Sequence, residues 1–83
     1  MKKYKGIVKY VNPERDMAAV DLEDGNFTVI DLLREKVDIG DVISGNLCSI
    51  GEKTLFNVSK GLDIHVYIED IYPSLQKALD LMS

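Results

Sequence analysis

Apolar and polar residues alternate over short segments in the first 58 residues, and turn-forming residues separate these segments. Such a pattern predicts β-strands. Pro13 lies in a turn between Asn12 and Asp16, and the pair Asp24-Gly25 suits the positive φ angles of a tight hairpin turn. The sequence therefore predicts five strands, over residues 4–11, 17–22, 27–30, 42–50 and 54–58, with a short helical or irregular link at 31–34.

A stricter alternation follows Gly61. Every second residue is aliphatic, and each aliphatic residue is followed by a charged residue, a histidine or a tyrosine. A period of two over this length predicts an amphipathic sixth strand with one buried face. The aliphatic positions are Leu62, Ile64, Val66 and Ile68.

The last residues change to a helical period. Pro73 suits the first turn of a helix and Ser74 can cap it. An apolar stripe at i, i+3, i+4 and i+7 follows, formed by Leu75, Ala78, Leu79 and Met82. A helix of about ten residues is marginal alone in water, so we expect it to dock. It either closes one open end of a barrel or docks on a second subunit.

The chain length of 83 residues predicts one small domain. Short strands with glycine-containing turns predict an all-β barrel at residues 1–60, and residues 61–83 add a strand and a short α-helix to the same domain. No apolar run approaches the ~20 residues that cross a bilayer, so no membrane association is expected. The basic N-terminal residues lack a following apolar region, which argues against a signal peptide and favours a cytoplasmic location.

The net charge of −4 is unevenly distributed. Residues 1–16 carry +3, whereas residues 17–83 carry −7. Because nucleic-acid binders present a basic face, only the first hairpin could supply one. The alternative is that these lysines guard an edge strand against aggregation.

Residues with reactive or metal-binding side chains are few. Cys48 is the only cysteine, so no intrachain disulfide can form, and we expect a buried, inert thiol. His65 shares a predicted strand face with Asp63 and Tyr67, which indicates a solvated face more than a metal site. A chain this short is not expected to enclose a substrate pocket of ~300 Å³ or more. We therefore expect no enzyme, no metal and no cofactor.

The first hairpin resembles the opening of cold-shock-type OB domains, whose pattern is G-x-V-K-W-F-N. Gly6, Val8, Lys9 and Asn12 match it, and Tyr10 stands at the tryptophan position. The segment at 40–42 resembles the entry to the fourth strand of ribosomal-type RNA-binding OB modules. The resemblance covers residues 4–59 and implies a five-stranded OB-type barrel, with an added C-terminal strand and helix.

In this family, hairpin aromatics stack on nucleic-acid bases, and most of them are replaced here. Asp16 stands for a glycine, and Met17 and Ala19 stand for phenylalanines. The family's second motif would fall on residues 27–31, where Thr28, Ile30 and Asp31 occupy expected stacking positions. Each stacked base is worth roughly 1–3 kcal/mol, so little stacking energy remains.

The resemblance implies weak binding of single-stranded RNA or DNA through the first hairpin. The alternative is a protein-interaction or self-association module, which would use the C-terminal helix or a mainly apolar platform. This apolar platform is formed by Lys9, Tyr10, Met17, Ala19, Thr28 and Ile30. If the C-terminal segment covers the platform, the nucleic-acid hypothesis loses its surface. The candidate nucleic-acid-binding residues are Lys9, Tyr10, Asn12, Arg15, Met17 and Thr28.

Overall fold

Six antiparallel strands close into a barrel in the computed structural model, which describes residues 4–23, 25–72 and 74–82. Neighbouring strands follow the order β1-β2-β3-β6-β5-β4, and β4 pairs with β1 to complete the wall. The elements are β1 (Tyr4–Asn12), β2 (Met17–Asp21), β3 (Phe27–Asp31), β4 (Val42–Gly45), β5 (Gly51–Asn57), β6 (Leu62–Tyr72) and the helix α1 (Leu75–Met82).

The strand count differs from the five-stranded barrel that was predicted. The amphipathic sixth strand is present, but it lies within the barrel wall between β3 and β5 instead of being added to it. Its three central aliphatic residues are buried because the inward face of β6 completes the core. These residues are Ile64, Val66 and Ile68.

The fourth strand is shorter than predicted. It ends at Gly45, whose φ of 144° lies outside the range that L side chains readily adopt. The following turn places Leu47 in the core and leaves Cys48 exposed, so the prediction of a buried thiol is wrong.

The barrel interior is filled by aliphatic side chains from all six strands. At Gly6 the wall leaves no room for a side chain, since an added Cβ would lie 2.8 Å from the Asp21 carbonyl oxygen. This close approach accounts for the glycine that opens the hairpin pattern. The fully buried interior residues include Val8, Ala18, Val20, Ile30, Ile43, Val66 and Ile68.

The C-terminal helix forms as predicted, and Ser74 caps it through its Oγ, which accepts a hydrogen bond of 3.4 Å from the Lys77 N–H. Ala78 and Met82 on the predicted apolar stripe are buried. The helix packs on the outer wall of β2, β3 and β6, so it does not close an end of the barrel. Pro73, the predicted first-turn proline, lies outside the described residues, as does Asp24 of the second hairpin.

Candidate binding surfaces

The outward side of β2 carries Met17 and Ala19 of the apolar platform that the sequence predicts, and α1 covers it together with the outward side of β3. Thr28 and Ile30, the predicted β3 positions of the platform, are instead fully buried. Met17 is 9% exposed, and Ala19 and Val29 are fully buried, although all three point away from the barrel interior. They pack with Ala78 and Met82 of the helix. The C-terminal helix therefore covers Met17 and Ala19, the two β2 positions at which the resemblance implies stacked bases.

Asn12 connects this covered platform to the first turn. Its Nδ2 donates a hydrogen bond of 2.7 Å to the Met82 carbonyl, at the end of α1. Its Oδ1 accepts hydrogen bonds of 3.1 and 3.3 Å from the N–H groups of Glu14 and Arg15. A residue predicted to contact nucleic acid thus holds the turn and the helix together.

The family's second motif implies that Thr28 faces outward and that Phe27 and Val29 face inward. The side chains of β3 have the opposite arrangement. Thr28 pairs with Val20, which faces the interior, and its hydroxyl donates a hydrogen bond of 2.8 Å to the Leu47 carbonyl. Phe27 and Val29 instead face outward, against the helix. The placement of Thr28 and of Met17 on an open binding face is therefore corrected, since the interior encloses one and the helix covers the other.

Lys9, Tyr10 and Arg15 remain exposed. The pairing of β1 with β2 shifts between Val8 and Tyr10, which turns Tyr10 outward beside Ala19 with 39% of its surface exposed. One aromatic side chain and its neighbouring lysine thus lie on the surface beside the covered platform. Their role in binding stays a prediction.

A second surface, which sequence reasoning missed, is a half-open groove of about 500 Å³. It lies between the first turn and residues 32–41, which we call the β3–β4 link. Leu32 and Val37 are buried at its base, whereas Ile39 on its rim is 66% exposed. The full lining is Val11, Pro13, Asp16, Leu32, Glu35, Lys36, Val37, Asp38 and Ile39.

Asp16 builds one side of this groove. Its φ of 55° lies in the left-handed region, which explains why the family has a glycine here and why aspartate is tolerated. Its carbonyl accepts a hydrogen bond of 2.8 Å from the Leu32 N–H, and its Oδ2 accepts one of 2.9 Å from the Arg34 N–H. The first turn and the β3–β4 link are therefore joined at a single residue.

Two other carboxylates on the lining are also held in place. Glu35 Oε2 accepts a hydrogen bond of 2.8 Å from the His65 backbone N–H, and Asp38 Oδ2 pairs with Lys60 Nζ at 2.8 Å. Each of these contacts uses one carboxylate oxygen. The groove therefore has an apolar base and a fixed, mainly acidic border.

Behind the groove, a buried polar network fixes the end of the β3–β4 link. Asp41 Oδ2 accepts hydrogen bonds from Lys60 Nζ at 2.6 Å, from Asn57 Nδ2 at 3.0 Å and from the Asp38 N–H at 3.0 Å. Burial by itself would raise the pKa of Asp41, but the hydrogen bonds from Asp38, Lys60 and Asn57 outweigh it and lower that pKa to about 2. The pKa of Lys60 is raised by its bonds to Asp38 and Asp41.

His65 has protein partners on the outer face of β5 and β6. Its Nδ1 lies 3.1 Å from Thr54 Oγ1 and its Nε2 lies 3.3 Å from Glu52 Oε2. In the part of the chain that the structure describes, no three histidine, cysteine or acidic side chains are grouped as metal ligands would be. The histidine thus belongs to a polar outer surface.

Comparison of the chain with models of protein families, with curated proteins and with solved structures found no match. The structure shows a small β-barrel. The likeness to cold-shock and ribosomal OB domains rests on the hairpin residues and the segment at 40–42 alone. The only helix among the described residues has eight residues, too few to cross a bilayer.

Proposed function

We propose that this barrel is a protein-interaction module that binds a polypeptide segment in the groove between the first turn and the β3–β4 link. The observation that carries the proposal is the exposure of Ile39, an aliphatic side chain, on the rim of a half-open groove with an apolar base. Exposed apolar surface beside fixed polar groups is typical of a recognition site.

The covered platform supports the same proposal. Met17 and Ala19 already have a partner in α1, so the β2 part of the surface that the family resemblance assigns to nucleic acid is covered. The net charge of −4 also opposes phosphate binding, because such binding depends on cationic side chains. A protein ligand has no such requirement.

A peptide selection tests the proposal. The full chain would be immobilised and screened with an unbiased display library of twelve-residue peptides, and recovered peptides would be measured by fluorescence anisotropy. Ile39→Glu should weaken binding about ten-fold or more, since it places a charge in a desolvated contact. Ile50→Glu is the matched control, because Ile50 is also an exposed isoleucine in a loop but lies outside the groove. Recovery of no peptide, or equal losses from both variants, would refute the proposal.

Binding of single-stranded nucleic acid is the second candidate, and the exposure of Lys9 and Tyr10 on the basic hairpin favours it. One aromatic can stack on one base, and nearby lysines can approach the phosphates. This candidate uses the edge of the platform and not the groove, so the two functions are separable by mutation.

A further inference from the structure

On the premise of the proposed function, we infer that the groove binds an extended peptide in which lysine or arginine side chains flank an aliphatic anchor. The apolar base would take the anchor, and the carboxylates around it would take the cationic side chains. A binding groove does not by itself determine the chemistry of its ligand.

Charge complementarity is the first observation. Three carboxylates line the groove against one lysine, Lys36. Lys60 lies behind the lining, and its ammonium group forms ion pairs with both Asp38 and Asp41. The lining itself therefore carries three carboxylates and one ammonium group, so an arriving cationic side chain meets a net negative border.

The way the carboxylates are held is the second observation. Asp16 and Glu35 each accept a backbone N–H through one oxygen, Oδ2 or Oε2. These bonds fix the side chains before any ligand arrives, so little side-chain entropy is lost when a ligand binds. The other oxygen of each fixed carboxylate can accept a charge-assisted hydrogen bond from one N–H of a guanidinium or ammonium group.

The backbone of the β3–β4 link is the third observation. Asp38 and Gly40 are tied by hydrogen bonds to Asp41 and Val8, whereas the N–H groups of Lys36 and Val37 donate no hydrogen bond to any other residue that the structure describes. Both residues line the groove. An extended peptide can accept from one of these groups through a main-chain carbonyl, and its alternating side chains would then meet the base and the border in turn.

Three defined probes test the ligand chemistry. A fluorescein-labelled seven-residue peptide of alternating lysine and valine would be compared with peptides carrying glutamine or glutamate in place of lysine. We expect the lysine peptide to bind about ten-fold more tightly than the glutamine peptide, the gain of two or three exposed ion pairs. The glutamate peptide should bind more weakly still, and salt at ~500 mM should remove most of the difference.

Paired variants locate the effect. Asp16→Asn combined with Glu35→Gln removes two charges but keeps an oxygen acceptor for the N–H groups of Arg34 and His65. This double variant should lose about ten-fold in affinity for the lysine peptide and little for the glutamine peptide. Asp63→Asn with Glu52→Gln makes the same charge change on exposed positions outside the groove, so it should leave both affinities unchanged.

The outcomes separate the inference from the proposed function. If Ile39→Glu abolishes binding of selected peptides but lysine and glutamine probes bind equally, the cationic ligand is refuted and the groove function stands. If selection yields no peptide and no probe binds, both fall. A concentration-dependent dimer that Ile39→Glu abolishes would instead identify a second copy as the occupant and overturn the inference.

Discussion

The side-chain amide of Asn12 donates a hydrogen bond of 2.7 Å to the main-chain carbonyl of Met82, 70 residues further along the chain. The last carbonyls of a helix have no partner within the helix, so this bond satisfies a group that would otherwise rely on water. The Oδ1 atom of the same side chain accepts hydrogen bonds from the N–H groups of Glu14 and Arg15 and so fixes the first turn. One side chain thus couples the first hairpin to the C-terminal helix.

Asn12→Asp isolates the bond to the helix. An aspartate still accepts from the N–H groups of the turn, but it cannot donate to Met82 and places a negative charge beside the carbonyl. We expect the free energy of unfolding to fall by about 1–2 kcal/mol. Urea denaturation followed by circular dichroism measures this, and Asn12→Ala, which also removes the turn contacts, should cost more. An unchanged free energy of unfolding in Asn12→Asp would show that the bond to Met82 contributes nothing.

Ala78→Asp should detach α1 from the barrel. Ala78 is fully buried in the cluster with Met17 and Val29, and a carboxylate there would have no partner. Amide hydrogen exchange should then lose protection at residues 75–82 while strand amides stay protected, since local opening leaves the barrel intact. Leu81→Asp, at an exposed helical position, is the control and should keep most of the protection. Unchanged exchange in Ala78→Asp would contradict the packing described.

The lowered pKa of Asp41 predicts that the folded chain loses stability in acid. Its pKa is lowered from 3.8 to about 2 in the folded chain, so its contribution is fully present above pH ~4 and disappears as the pH falls through 2. Because the network lies near solvent, we expect a contribution of about 1–2 kcal/mol. Asp41→Asn should lower the free energy of unfolding by this amount at pH 7, and the difference from the native chain should close near pH 2. A constant difference across this range would exclude the carboxylate's charge as the cause.

Oligonucleotide titration addresses the second candidate function. With one exposed aromatic on the hairpin, we expect a labelled ten-nucleotide single strand to bind with a dissociation constant weaker than ~100 μM at low salt. Tighter binding that is lost in Tyr10→Ala and Lys9→Glu, and kept in Lys77→Glu, would restore the nucleic-acid hypothesis. Lys77 is an exposed lysine of α1, so its substitution makes the same change in charge away from the hairpin.

Local patterns predicted the elements of the fold better than their arrangement. The strict alternation from Leu62 onward and the stripe through Ala78 and Met82 identified β6 and α1, because period and burial are coupled within one element. The position of β6 between β3 and β5 depends on which strand edges remain unpaired. The residue pattern within one short segment contains no information about the pairing of other strands. The five-stranded expectation came from the strands counted in residues 1–60 and from the family resemblance, and neither includes this strand.

The candidate site was harder to predict. The reversal at Thr28 is a shift by one position, which moves every side chain of a strand to the other face. The groove combines the first turn with a link that shows no periodicity, so its residues have no common sequence signal. The one available indication was Asp16 at a glycine position, since a residue in the left-handed region often marks a specific turn.

The insertion of β6 between β3 and β5 also bears on how the chain folds. Asp31 pairs with Tyr67, and Gly51 pairs with Ile68, so the wall can close only after the penultimate element has been synthesised. Until then two strand edges stay open to other chains. High contact order of this kind slows folding, so we expect the ribosome-bound chain to remain incomplete until residues 62–72 have left the exit tunnel.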